Sequence, residues 1–282
     1  MKRKLLALMM VWPLAAQAQW PLTTDQEAYV LQPEHKPDGA PRRQGGAAGY
    51  LPKLWPVTPC AGYWGGNDTG NRAWLDAHAK LVEIVKNHQG PLDVLLIGDS
   101  ITLQWGGGYA GPGPNAVWQK YFGGRKMLNL GIGGDKTQNL LWRMDHGGVD
   151  GLEPKAVVLM IGVNNLYFAG EVPIADSALG IKACVAKLRS KLPKAEIIVV
   201  NVLPSGEKPD APFRIKTEEL AKAVHSLQLE SEQKVRLLDF NKHLLQTDGT
   251  LTQVLSHDFL HLTEKGYEIY ARVLRPLLER IW

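Results

Sequence analysis

Four short segments carry the residues in this chain whose types could do chemistry together. The run LLIGDS ends on Gly98, Asp99 and Ser100, and NLGIGGD holds Gly134. GVNN holds Asn164, and HDFLH sets Asp258 three residues before His261. A serine hydroxyl is a weak nucleophile at neutral pH. It needs a base within hydrogen-bond reach and a third group that fixes the tautomer of that base. The spacing of Asp258 and His261 suits a turn in which the carboxylate folds back onto the imidazole, so one loop would supply both base and orienter. Acyl transfer also needs donors aimed at a developing oxyanion. The backbone N–H groups of Ser100 and Gly134 and the side-chain amide of Asn164 are of the right kind. The expectation is Ser100 as nucleophile, His261 as base, Asp258 as orienter, and Ser100, Gly134 and Asn164 as the oxyanion hole.

Taken singly, each residue has a plainer reading. Asp and Ser are ordinary helix N-caps, and Gly and Asn are ordinary turn formers. What decides is whether the surrounding elements bring the four segments to one place. Apolar runs rich in Leu, Ile and Val recur at 93–98, 126–130, 156–162, 196–202 and 235–240. Helical patterns lie at 71–90, 136–144, 173–192, 212–230 and 263–281. Near-continuous apolar strands are buried on both faces, and their alternation with helices predicts a parallel sheet covered on each side. The expected fold class is α/β: a three-layer α/β/α sandwich around a five-stranded parallel sheet. In such sheets ligands bind at the carboxyl ends of the strands. Strands one, two and three exit into the segments of Ser100, Gly134 and Asn164.

The 282-residue chain opens with MKRKLLALMMVWPLAAQA. This has a basic head, an apolar stretch too short for a membrane span and interrupted by Pro13, and a small-residue ending. It reads as a secretory signal peptide cleaved after Ala18, which places the mature protein in the periplasm or outside the cell without stable membrane insertion. Lys2, Arg3 and Lys4 account for three of the four net positive charges, leaving +1. That balance, with only the brief PRRQ cluster, excludes a nucleic-acid partner. Residues 19–70 are rich in Pro and Gly and read as an extended lead-in to a hydrolase-like domain over 71–282. The two cysteines, Cys60 and Cys184, fit either a disulfide or two separate thiols. The helical apolar spacing around Cys184 makes it a core residue.

Competing motifs fall short. A dinucleotide loop requires a glycine where Lys136 stands, and no G-x-S-x-G elbow surrounds Ser100. His257, Asp258 and His261 offer three metal ligands, but no further cluster completes a site. No metal and no cofactor are called for. Ile101, Trp105 and Leu260 are candidates for an apolar pocket wall. Tyr109, in the glycine-rich segment at 106–115, is a candidate to stack on a sugar ring.

GDS, NLGIGGD, GVNN and DFLH, in that order, resemble the four blocks of the SGNH (GDSL) hydrolase superfamily, whose fold is flavodoxin-like. NLGIGGDKTQNLLWRM, LPSGEKPDAPFR and SHDFLHLTEKGY are similar to the catalytic subunits of intracellular platelet-activating factor acetylhydrolase. The likeness runs from about 71 to 282. It implies the same roles for Ser100, Gly134, Asn164, Asp258 and His261, and it adds Val163 to the pocket, where those relatives usually show threonine. It also implies a serine esterase for short acyl groups acting on a small-molecule, glycan or lipid ester, with a homodimer as one possible assembly. The alternatives are a lysophospholipase or thioesterase for longer chains, and a glycan- or lipid-binding module without activity.

Overall fold

The computed structural model describes residues 68–105, 115–168 and 174–282. The proposed leader, most of the lead-in, Cys60 and Tyr109 lie outside them. The chain begins with helix α1 (Asp68–Asn87), then β1 (Leu92–Gly98), α2 (Ser100–Trp105) and α3 (Ala116–Phe122). It continues through β2 (Met127–Gly131), α4 (Thr137–Asp145), β3 (Pro154–Met160) and α5 (Val163–Phe168). The last elements are α6 (Ile174–Lys191), β4 (Glu196–Val200), α7 (Pro212–Ser226), β5 (Val235–Leu238) and α8 (Glu264–Glu279).

The five strands form one sheet in the order β2-β1-β3-β4-β5, all parallel. Every residue of β1 is buried, as the apolar run 94–97 requires of a strand covered on both faces, and Asp93 at its start is paired with Lys155. The pleat divides these residues. Leu95, Ile97, Val157, Leu159, Ile197 and Val199 share one core with α4, α6 and α7. Val94, Leu96, Val158, Met160, Ile198 and Val200 share another with α2, α3 and α8. In α8 the buried Tyr267, Tyr270, Ala271, Leu274 and Leu278 lie on one helical stripe, and the Thr263 hydroxyl caps its first turn at Gly266 N–H. Truncating a residue such as Leu274 to alanine would cost about 2–5 kcal/mol.

The boundaries differ from the sequence expectation in places with local causes. Strand β4 ends at Val200 because the Asn201 side chain accepts from Val202 N–H and donates to Ala221 O and Asp239. Helix α7 stops at Ser226, not 230, since Gln228 takes a left-handed conformation (φ 49°) and a single 3-10 turn follows. Cys184 is buried, its thiol 3.5 Å from Thr137 O, and burial pushes its pKa well up.

Chain order reverses around β1. The chain leaves β1 for β2 on one side, then crosses back to β3 on the other. The crevice outside the carboxyl ends of β1 and β3 is therefore the switch point where open α/β sheets bind ligands.

Candidate active site

Ser100 stands at that switch point because β1 ends abruptly. At Gly98 a side chain is impossible: a Cβ there would lie 2.0 Å from Met160 O and 2.5 Å from Thr102 Oγ1. The close approach lets the strand turn directly into α2. The buried Asp99 caps that helix, its Oδ1 accepting from Ile101 N–H at 3.0 Å. Ser100 is then the first residue of α2, where a backbone N–H has no carbonyl of its own helix to bond. Burial, with repulsion from nearby Asp135, raises the Asp99 pKa to about 7.

Across the crevice, the loop before α8 brings in the second half. Asp258 Oδ1 accepts from the backbone N–H groups of Leu260 (3.0 Å) and His261 (2.7 Å). Its Oδ2 lies 2.7 Å from His261 Nδ1, and His261 Nε2 lies 2.8 Å from Ser100 Oγ. Burial would raise the Asp258 pKa, but hydrogen bonds from the His261 ring and from both backbone amides overcome it and hold the carboxyl below its usual value. An ionised Asp258 favours the imidazole tautomer with its proton on Nδ1, which leaves Nε2 as acceptor for the serine hydroxyl.

The turn is braced from three sides. Phe259 takes φ 61°, and its carbonyl accepts from Gly206 N–H at 2.8 Å. The buried Arg214 donates to Gly206 O and to Gly249 O. Tyr267, on α8, donates its hydroxyl to Ile101 O at 2.6 Å, so α8 is tied to α2.

The donor side comes from the β2–α4 and β3–α5 connections. Gly134 has φ 77°, a conformation that suits glycine, and its N–H has no hydrogen-bond partner among the described residues. Asn164 is buried and uses one amide hydrogen on Asp135 O at 3.0 Å, which leaves its second hydrogen available. Thus all five residues expected to act together lie on segments that meet at one rim of the sheet.

The pocket candidates fare differently. Ile101 and Val163 line a small hollow with Asp99, Met160, Ile161, Val202, Leu203 and Ser205. Leu260 is half-buried and packs against the core on the α4 side. Trp105 corrects the expectation of a pocket wall: only 1% exposed, it packs edge-on against Trp118, Tyr267 and Tyr270 inside the α2–α3–α8 core. Asp135 directly precedes Lys136, the N-cap of α4, and turns its side chain to other partners. It forms a buried ion pair with Arg143 at 2.7 Å and accepts from Trp74 Nε1. His78 is a packing residue among Trp74 and Trp142, with burial and then Arg143 lowering its pKa to about 4.

Two functional neighbours escape sequence reading. Arg143 donates to Leu130 O and Gly98 O, which fastens the ends of β2 and β1 to Asp135. Its signal, a charge inside a helical apolar pattern, looks like any solvated residue. Asn165 accepts from Thr137 N–H and donates to Thr137 Oγ1. Only its place beside Asn164 hinted at this.

Residues 96–269 match the model of the GDSL-like Lipase/Acylhydrolase family. The chain belongs to that family. As a GDSL-family member it is a carboxylic ester hydrolase. This GDSL chain is 34% identical over 212 residues to platelet-activating factor acetylhydrolase IB subunit alpha2 of Rattus norvegicus, covering 75% of this chain and 85% of that relative. A GDSL-like lipase from Bacteroides thetaiotaomicron shares its fold with TM-score 0.58 at 18% identity, covering 73% of this chain and 98% of the other. An acetylxylan esterase from Geobacillus stearothermophilus does so with TM-score 0.52 at 22% identity, covering 66% and 94%.

Proposed function

We propose that this chain is a secreted or periplasmic serine esterase that removes short acyl groups, acetyl first among them, from O-acylated substrates. The observation that carries the reading is the relay from Ser100 Oγ to His261 Nε2 (2.8 Å) and from His261 Nδ1 to Asp258 Oδ2 (2.7 Å). Ser100 attacks the ester carbonyl while His261 takes its proton, and Asp258 stabilises the imidazolium. The Ser100 and Gly134 N–H groups and Asn164 Nδ2 hold the tetrahedral oxyanion. His261 then returns the proton to the departing alkoxide, leaving an acyl ester on Ser100. A water, deprotonated by the same imidazole, releases the acid.

The short-acyl preference is supported by the names of one relative and one structural neighbour, both of which specify acetyl esters. A glycan or a small lipid ester fits the compartment that the leader implies.

Hydrolysis of a chain-length series of 4-nitrophenyl esters tests the proposal. Acetate and propionate are expected to turn over, Ser100→Ala to abolish it, and Asn164→Ala to lower kcat by about 10²–10³ with little change in KM. Preference for octanoate would favour a lysophospholipase or thioesterase. Equal inactivity of wild type and Ser100→Ala would favour a binding module.

A further inference from the structure

Outside the relay, His257 adds a third metal-ligating group to the same loop. Among the described residues, His257, Asp258 and His261 are the one set of three such side chains with a ligand atom from each within 4.8 Å of the others. His257 Nε2 lies 3.8 Å from Asp258 Oδ2, and His261 Nδ1 lies 2.7 Å from the same oxygen. In a tetrahedral zinc site, with bonds of about 2.0–2.2 Å, neighbouring ligand atoms stand about 3.3 Å apart. The two observed separations bracket that spacing. His257 and Asp258 are both exposed, so an ion reaches them from solvent, and an exposed His257 side chain is free to adjust toward the other two ligands. Two imidazoles and one carboxylate suit zinc and not the harder magnesium or calcium.

We propose that this loop binds Zn²⁺ and that the bound ion switches the site off. The proposal builds on the hydrolase reading given above. With Asp258 ionised, the single proton of neutral His261 sits on Nδ1, facing the carboxylate. Zinc takes that position, so the Nδ1 proton leaves to solvent and a proton from solvent is taken up at Nε2. Nε2 then presents an N–H to Ser100 Oγ and has no lone pair for the serine proton. Asp258, shared with the ion, no longer orients the ring. His257 takes no part in acyl transfer in the reading given above.

The test is a Zn²⁺ titration of 4-nitrophenyl acetate hydrolysis by the wild type and by His257→Ala, with Mg²⁺ and Ca²⁺ as controls. Both proteins should turn over equally without metal. Zinc should inhibit the wild type reversibly, with EDTA restoring activity, and His257→Ala should need at least about tenfold more zinc for half-inhibition. Equal sensitivity of the two proteins, or no inhibition of either, would overturn the proposal. Calorimetric titration of Zn²⁺ into Ser100→Ala separates this idea from the esterase reading. One zinc bound per chain, lost in Ser100→Ala/His257→Ala, supports the site even if no ester is cleaved, and no binding, or binding indifferent to His257, rejects it.

Discussion

Asp99 shows how much a single buried group beside Ser100 governs. Its carboxyl caps α2 and sits 1% exposed, with a pKa raised to about 7 by burial and by Asp135. Because the folded value is above the unfolded one, the folded state binds the extra proton. The resulting stability is fully present below about pH 4 and is lost as pH rises through about 7. Asp99→Asn keeps the capping oxygen and removes the titration. Thermal unfolding from pH 4.5 to 7.5 should therefore show wild type losing several degrees relative to Asp99→Asn, and parallel Tm curves for the two would contradict the assignment. That Ser100, Asp258 and His261 would meet was legible in the sequence, because the expectation rests on residue type and order along the chain. Arg143, Asn165 and Arg214 were not, because their importance lies in long-range hydrogen bonds to backbone carbonyls and amides that no local pattern encodes.

At the scale of elements, the site depends on strand ends being held in register. Arg143 does this from α4 by bonding the terminal carbonyls of β1 and β2 while its charge is matched by Asp135, both side chains being essentially inaccessible. Removing one partner of a buried pair leaves the other uncompensated, which costs about 3–5 kcal/mol. Arg143→Met should be destabilised by that order in denaturant unfolding at pH 8. Adding Asp135→Asn should recover part of the loss; additive losses would show that the pair is not coupled. The strands themselves were readable, since burial on both faces writes an unbroken apolar run. Helix ends such as Ser226 were less so, because a left-handed residue at Gln228 and not a proline or glycine stops α7.

At the scale of the whole molecule, the described residues of the hydrolase fold begin at Asp68, and the N-terminal segment is the export leader proposed above. Among the described residues no helix is long and apolar enough to cross a membrane. Expressed with its full leader in a bacterial host, the protein should appear in the periplasm or medium with an N-terminus at Gln19, as read by Edman degradation or intact mass; a retained Met1 would contradict export. The fold brings segments 161 residues apart into hydrogen-bond contact, and the proposed esterase chemistry depends on that contact. Its most direct test is mass-spectrometric peptide mapping after treatment with the phosphorofluoridate diisopropyl fluorophosphate. A single diisopropylphosphoryl ester on Ser100, formed with release of fluoride and loss of ester hydrolysis and absent in His261→Gln, is the expected result. An adduct on another residue, or full esterase activity remaining in a protein labelled at Ser100, would contradict it.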